Sequence, residues 1–105
     1  MWPHDGAMWF GWIQFDILLG DVQSLKEKRA VVRPIISELK RKFEVSVAET
    51  GDLDLHRRVQ VSAGMVAADS AHVIEVLDSI ERLVAERPEI HLLSAGRRIH
   101  SSDDE

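Results

Sequence analysis

The chain has 105 residues, which is room for one domain with a single hydrophobic core. Hydrophobic residues make up 45% and charged residues 30% of it, and these proportions exclude an intrinsically disordered chain. Cysteine is absent, which excludes disulfides, thiolate metal sites and thiol catalysis. The net charge of −5 is unevenly distributed: residues 24–43 hold seven bases and two acids, net +5, so the remaining residues carry −10.

No apolar run approaches the roughly 20 residues that cross a bilayer, and no secretory pattern is visible, so we expect a cytoplasmic protein without membrane contact. Residues 1–7 show no periodicity and are expected to form a mobile extension. Because Met1-Trp2 recurs as Met8-Trp9, Met8 is an alternative translation start. Residues 8–100 form the predicted domain, and the acidic residues 101–105 a frayed tail.

The first predicted element is a strand at residues 8–18. One face of this strand is apolar and consists of Trp9, Ile13, Phe15 and Ile17. The opposite face begins with two aromatic residues, Phe10 and Trp12, and continues with polar residues. This alternation predicts a sheet with one face in the core and the other open to water.

A helix is predicted from the capping box at Ser24 and Glu27 to about Phe43. In this motif the Ser24 hydroxyl accepts a hydrogen bond from the Glu27 amide, and the Glu27 carboxylate accepts one from the Ser24 amide. The predicted buried stripe consists of Leu25, Val32, Ile35, Ile36, Leu39 and Phe43. Because this stripe continues past Pro34, we expect a kinked helix there, and a helix break is the alternative.

Two more strands are predicted at residues 44–50 and 57–67, and the short turn-forming segment between them predicts an antiparallel hairpin. Asp69 is a suitable N-cap for a second helix that ends before Pro88. The last predicted strand covers residues 90–100. The order β-α-β-β-α-β predicts an α+β, ferredoxin-like domain: a four-stranded antiparallel sheet with two helices on one face.

Basic residues on the first helix are the main candidate for a functional site. At about 100° per residue, one stripe beside the buried face contains Lys26, Arg29, Arg33 and Lys40. Arg41 lies farther round the helix, and Arg57 and Arg58 are a possible extension of the same surface. Such a stripe predicts contacts with nucleic-acid phosphates. The alternative is a solvated face with local ion pairs, such as Glu38 with Lys42.

Lys28 belongs to the same helix but points closer to its apolar side. We expect its aliphatic part to lie on the core and its amino group to extend into water.

Phe10 and Trp12, on the open face of the sheet, are the second candidate site. Single-strand RNA modules of this topology stack bases on aromatic residues of the first and third strands. The third strand here lacks aromatic residues and offers Arg58, Gln60, Ser62 and Gly64 instead. We therefore favour burial of Phe10 and Trp12 by a protein partner or by a second copy of the chain, because exposed aromatic side chains are costly in water.

Motifs of known catalytic chemistry are absent: there is no Gly-x-Ser-x-Gly, Walker loop, GxGxxG or HExxH. We expect neither an enzyme nor a cofactor. The loop after the first strand carries Asp21 and no arginine, which argues against acylphosphatase-like anion binding. The nearest approach to a metal cluster consists of Glu49, Asp52, Asp54 and His56. These residues lack the spacing of a calcium loop, so we expect a turn and no metal.

Three segments resemble the YlxP-like family of small uncharacterised bacterial proteins: residues 23–29 (QSLKEKR), 43–49 (FEVSVAE) and 54–58 (DLHRR). The resemblance extends over roughly residues 8–99 and implies a ferredoxin-like fold. Genes of the family commonly lie beside genes for a ribosome-binding factor and a translation initiation factor. The resemblance therefore implies a role near ribosome assembly or translation, with ribosomal RNA or the ribosome as partner. It supplies no catalytic residues, and Pro34 and the Trp-rich first strand depart from the family pattern.

Overall fold

The computed structural model describes residues 7–103, so residues 1–6 of the predicted extension at residues 1–7, with the first of the two candidate start sites, lie outside the described residues. Six elements follow one another in the predicted order: β1 (Trp9–Leu19), α1 (Leu25–Phe43), β2 (Ser46–Gly51), β3 (Arg58–Ala67), α2 (Ser70–Ala85) and β4 (Ile90–Ser101). All strand pairings are antiparallel in the order β2-β3-β1-β4. The ferredoxin-like fold class is confirmed.

Strand β1 lies at the centre of the sheet and pairs with β3 on one side and β4 on the other. Phe15, for example, faces Val61 on β3 and Ala95 on β4. The register with β4 shifts between Asp16 and Ile17, where a bulge interrupts the ladder. Strands β2 and β3 pair as the predicted hairpin, which leaves β2 and β4 as the two edges of the sheet.

The core lies between one face of the sheet and both helices, as the alternation of β1 predicts. Ile13, Phe15 and Ile17 are at most 1% exposed. The buried apolar residues of the helices are Val32, Ile35 and Leu39 of α1 and Val73, Leu77, Ile80 and Val84 of α2. Helix α1 packs mainly over β2, and α2 packs over β1, β3 and β4. The open face of the sheet is therefore the side that carries Phe10 and Trp12.

Gly11 allows α2 to approach the sheet closely. A Cβ at this position would lie 2.5 Å from Val73 Cγ1 and 3.3 Å from Leu77 Cδ1. Both side chains are fully buried, and the branched Val73 has little freedom to move aside. A residue larger than glycine would therefore force α2 and β1 apart.

The helix caps follow the sequence motifs with one difference. The Ser24 hydroxyl accepts a hydrogen bond from the Glu27 amide at 3.1 Å, as predicted. The Glu27 carboxylate, however, accepts from the amide of Gln23 at 2.6 Å rather than from that of Ser24. The Asp69 side chain caps α2 by accepting from the His72 amide at 2.8 Å. Helix α1 runs through Pro34 without a break, which removes the alternative of two separate helices.

The two ends of the described chain meet beside the open face. The Ser102 amide donates to the Met8 carbonyl at 2.7 Å, and the Met8 amide donates to the Ser102 hydroxyl at 2.9 Å. Strand β4 reaches Ser101, which is only 8% exposed. The last strand therefore ends one residue beyond the predicted strand at residues 90–100, and residues 104–105 of the predicted tail lie outside the described residues.

Candidate nucleic-acid interface

The outer surface of α1 presents the predicted row of cations to solvent. We call Lys26, Arg29, Arg33 and Lys40 the basic stripe. All four are exposed, and the first and last are separated by about 21 Å along the helix axis. Ala30 and Pro34 line a shallow depression together with the first three of these cations. Because the side chains between the cations are small, a phosphate backbone has room to lie against the helix.

The basic stripe binds no other part of the protein within residues 7–103. None of its four cations forms an ion pair or a side-chain hydrogen bond there. All 13 lysines and arginines lie in this part of the chain, and the only other one without such a partner is Arg98. Within the described residues the protein thus neutralises or engages most of its cations but leaves those of the basic stripe, and Arg98, without a partner.

Arg41, at the edge of this surface, is only weakly engaged. Its guanidinium lies 3.9 Å from the Glu38 carboxylate, and its side chain is 74% exposed. The predicted pair of Glu38 with Lys42 is present at 3.7 Å. The short contact of Glu38 is instead with Arg87, at 2.6 Å. Arg41 therefore remains accessible to a partner of the basic stripe.

The two arginines proposed to extend the surface both bind groups of the protein itself. Arg57 Nε donates to the carbonyls of Gly20 at 2.8 Å and Leu19 at 3.4 Å. Arg58 makes a two-point contact with the Asp16 carboxylate, at 2.7 and 3.3 Å. The hydrogen bond to Asp16 and its charge raise the pKa of Arg58. Arg58 is therefore neutralised by an acid of the protein, whereas the exposed Arg57 makes no ion pair within residues 7–103.

The position of the Lys28 amino group differs from the expected one. This amino group does not extend into water but is buried, and the residue is only 2% exposed. Lys28 Nζ donates to the carbonyls of Asp52 at 2.7 Å and Leu55 at 2.8 Å and lies 2.9 Å from Glu49 Oε1. That buried oxygen receives no hydrogen bond of suitable angle, so the contact with Lys28 is mainly ionic. The expectation was wrong because the hairpin loop folds over the start of α1.

Two of the acidic residues considered for a metal cluster contact Lys28 instead. Glu49 pairs with Lys28, and Asp52 supplies only its carbonyl to that lysine while its backbone is left-handed, with a φ of 60°. Among residues 7–103 no group of three or more His, Asp or Glu side chains has the arrangement to hold a metal ion.

Neither helix of the described residues has the length and apolar composition that crossing a membrane requires.

The open face of the sheet carries the second candidate site. Phe10 and Trp12 are 38% and 39% exposed. The Phe10 ring stacks on that of His100, with ring centroids 5.1 Å apart and planes inclined by 23°. Trp12 lies between Gly64 on β3 and Arg98 on β4 in the strand register. Arg98 and His100 were not among the predicted site residues, although alternation from the half-buried Ile99 places both on this face.

Comparisons with solved structures give only distant likenesses. A de novo designed protein, Foldit4, matches with a TM-score of 0.49 at 15% identity, covering 93% of this chain and 99% of the other. A putative antibiotic biosynthesis monooxygenase from Bacillus cereus gives 0.48 at 12% identity, with 95% of each chain covered. A designed protein with a ferredoxin fold gives 0.41 at 15% identity, covering 90% of this chain and 86% of the other.

Sequence comparisons are more specific. The model of the family described as "Protein of unknown function (DUF503)" matches residues 10–97. The uncharacterized protein YlxP of Bacillus subtilis (strain 168) is 30% identical over 80 residues, which are 76% of this chain and 87% of the relative. The family match runs from the open face of β1, through the basic stripe, to β4. The resemblance noted from three short segments is thus confirmed, and the chain belongs to the DUF503 family of YlxP-like proteins of unknown function.

Proposed function

We propose that this protein is a non-enzymatic RNA- or ribosome-associated factor that contacts phosphates through the basic stripe. The observation that carries the proposal is the contrast in pairing. Arginines elsewhere, such as Arg58, Arg87 and Arg97, are held by carboxylates of the protein, whereas the stripe is exposed and unpaired within residues 7–103. Free ammonium and guanidinium groups are those that displace counterions from a nucleic acid.

The spacing of the stripe suits an extended polyanion. Lys26, Arg33 and Lys40 recur every seven residues, about 10.5 Å apart along the helix, and Arg29 lies between the first two. Such a row contacts phosphates and not base edges, so it supplies affinity and orientation without sequence choice. Residues outside 24–43 carry a net charge of −10, and the acidic outer surface of α2 is the face that this charge most disfavours, so a polyanion is directed to α1 rather than to α2.

The source of the RNA is proposed from the family. The gene neighbourhood that the YlxP-like resemblance implies, beside a ribosome-binding factor and an initiation factor, supports ribosomal RNA as the partner. A protein with this partner works in the cytoplasm.

The test is binding to ribosomal RNA and co-sedimentation with ribosomal particles over a range of salt concentrations. We expect the logarithm of the binding constant to fall with the logarithm of salt with a slope of about −3 to −4, because four cations displace counterions. The double variant Arg29→Glu/Arg33→Glu reverses two neighbouring stripe charges and should abolish binding at physiological salt.

The matched control is Lys42→Glu/Arg82→Glu, which changes the net charge equally but lies off the stripe. Both control residues are exposed. The control should bind ribosomal RNA as the parent does. If the stripe variant co-sediments as well as the parent, or if the control loses binding equally, the basic stripe is not the specific contact.

A further inference from the structure

We propose that the open sheet face around Trp12 binds unpaired nucleobases by stacking, so that the RNA bound by this protein includes a single-stranded segment. The inference rests on the proposed function for the class of ligand. It differs in the surface used and in the part of the nucleotide recognised: α1 contacts phosphates, whereas the opposite side of the domain contacts bases.

The first observation is a group of aromatic rings on adjacent strands. Phe10 and His100 stack on each other, His100 is half-buried, and Phe10 remains 38% exposed. Trp12 follows on the same side of β1, about 7 Å along the strand. Exposed aromatic rings at successive positions of a sheet are the platform on which single-strand modules stack bases, and each stacked base contributes to affinity whatever its identity.

The second observation is the open space beside these rings. The β3 residue paired with Trp12 is Gly64, and the β4 residue paired with Gln14 is Gly96. A Cβ built at Gly96 would meet nothing within 4 Å, and one at Gly64 would meet only the Gly11 carbonyl, at 3.6 Å. No side chain rises from the sheet at these two positions, so a flat base has room to lie there.

The third observation is the charge of this face. Arg98, the β4 partner of Trp12, is exposed and has no ion pair or side-chain hydrogen bond within residues 7–103. Asp16 is the only acid that alternation places on the open side of the described strands, and Arg58 neutralises it. The strands of this face, within the described residues, therefore offer a cation for a phosphate beside the rings and no unpaired carboxylate.

The fourth observation is the pair of amides that continues the row. Gln14 Nε2 lies 3.4 Å from Gln60 Oε1 and 3.3 Å from the Thr50 hydroxyl. These are long hydrogen bonds, and a ligand can exchange with them at little cost. Side-chain amides carry both donors and acceptors, which suits the edges of a base stacked on Trp12.

A second copy of the chain fits this face less well. Phe10, Trp12 and Val66, the β3 partner of Phe10, are 38%, 39% and 66% exposed and together offer on the order of 250 to 300 Å² of surface. A stable interface buries about 800 Å² on each partner, and the surface beyond Trp12 is polar. The expectation of a protein partner was formed from Phe10 and Trp12 alone, without Arg98 and His100, which favour a nucleotide.

The test measures fluorescence anisotropy of a labelled oligouridylate and of a labelled RNA duplex with the full chain. Trp12→Ala should weaken oligouridylate binding roughly 5- to 100-fold, because one stacked base is lost. Its binding to the duplex should be unchanged. Trp12→Phe keeps a ring and should retain most of the affinity, and Arg98→Gln should lower the salt slope for the oligouridylate by about 1.

The matched control is Ile74→Ala, which removes an apolar side chain of α2 that is 45% exposed on the other side of the domain. It should bind the oligouridylate as the parent does. Equal affinities of the parent and Trp12→Ala for the oligouridylate, or no binding by the parent, would overturn the proposal. So would sedimentation equilibrium showing a dimer that Trp12→Ala dissociates, because a second copy would then cover the face.

The two proposals fail independently. If ribosomal RNA binding survives Arg29→Glu/Arg33→Glu, the role of α1 is refuted, yet the loss of oligouridylate affinity in Trp12→Ala remains measurable. If Trp12→Ala has no effect but the stripe variant loses duplex binding, only the stacking site is refuted.

Discussion

The two helices cover the same face of the sheet with similar apolar stripes, yet their outer surfaces carry opposite charge. Helix α1 holds seven bases and two acids, whereas α2 holds one base, Arg82, and three acids. Two of those acids, Asp78 and Glu81, are each bound by Arg97 of β4 at 2.8 Å. Burial opposes the charge of Arg97, but hydrogen bonds to Glu81 and Asp78 raise its pKa overall.

This difference distinguishes the residues whose type is determined by packing in the fold from the residues whose type is not. Packing against the sheet determines the inner residues of both helices, because buried positions must be apolar and closely fitted. The outer surfaces make no such contact, so their charge is free to serve another purpose. On α2 the protein pairs two of the three carboxylates with its own arginine, and on α1 it leaves four cations without a partner in the described part of the chain.

The largest expected effect on stability concerns Lys28, which binds the start of α1 to the hairpin loop. Lys28→Met should lower the free energy of unfolding by about 3 kcal/mol, because it leaves the carbonyls of Asp52 and Leu55 without a donor and Glu49 without its counter-charge. Lys26→Met, on the exposed stripe, should change it by less than about 0.5 kcal/mol. Urea denaturation measures both. A loss below about 1 kcal/mol for Lys28→Met would mean that water replaces the lysine at little cost.

A smaller effect is expected where α2 meets β1. Gly11→Ala should destabilise by about 2 kcal/mol, since the new methyl group would overlap with Val73. Gly96→Ala is the matched control on the same sheet: its Cβ meets nothing, so the melting temperature should stay the same or rise slightly. Thermal unfolding compares the two variants. Equal stability of both would show that α2 can move away from the sheet freely.

The smallest expected effect on stability concerns Arg87, which follows α2 and forms an ion pair with α1. Arg87 lies 2.6 Å from Glu38 of α1 and 2.6 Å from Glu89, beyond the end of α2. The backbone N–H of Glu89 and, less strongly, Arg87 lower the pKa of Glu89. Arg87→Gln should cost at most about 1 kcal/mol at neutral pH, because the pairs are partly exposed.

The pH dependence of this link has a definite sign. Because the pKa of Glu89 is lowered in the folded state, its ionised carboxylate stabilises the fold. This stabilisation is fully present above the pKa that the group has in the unfolded chain, and it is lost as the pH falls through the pKa of the folded state. The difference in unfolding free energy between the parent and Arg87→Gln should therefore shrink on acidification. A difference that stays constant down to the acid limb would show that Arg87 acts by packing and not by charge.

Local sequence patterns predicted the fold because each pattern indicates which residues of a single helix or strand are buried. The alternation in β1, the helical spacing in α1 and the caps at Ser24 and Asp69 each depend on residues close in sequence. Even there, the Glu27 carboxylate accepts from Gln23 instead of Ser24, a choice that depends on the path of the preceding loop. Both amides lie within reach of the same side chain, and the sequence does not distinguish them.

The candidate sites were only partly predictable, because their pairing depends on chain segments far apart in sequence. Helical angles placed the basic stripe on one side of α1, but whether a carboxylate would reach it could not be read from spacing. Lys28 is bound by a loop that begins 24 residues later, and Arg58 by Asp16, 42 residues earlier. The face on which Arg98 lies could have been predicted from strand alternation, but the register that pairs it with Trp12 comes from the structure.

The meeting of Met8 and Ser102 has a practical consequence for tagging the protein. Fusion partners attached directly before Met8 or directly after Ser102 would leave the domain at the same corner of the sheet, next to Phe10. A bulky fluorescent label at either of these two positions would therefore crowd the stacked rings more than it would crowd the positive helix on the other face. A circular permutant with the old ends joined and new ones opened in the loop between α2 and β4 would move the attachment points to the opposite end of the strands and clear the corner.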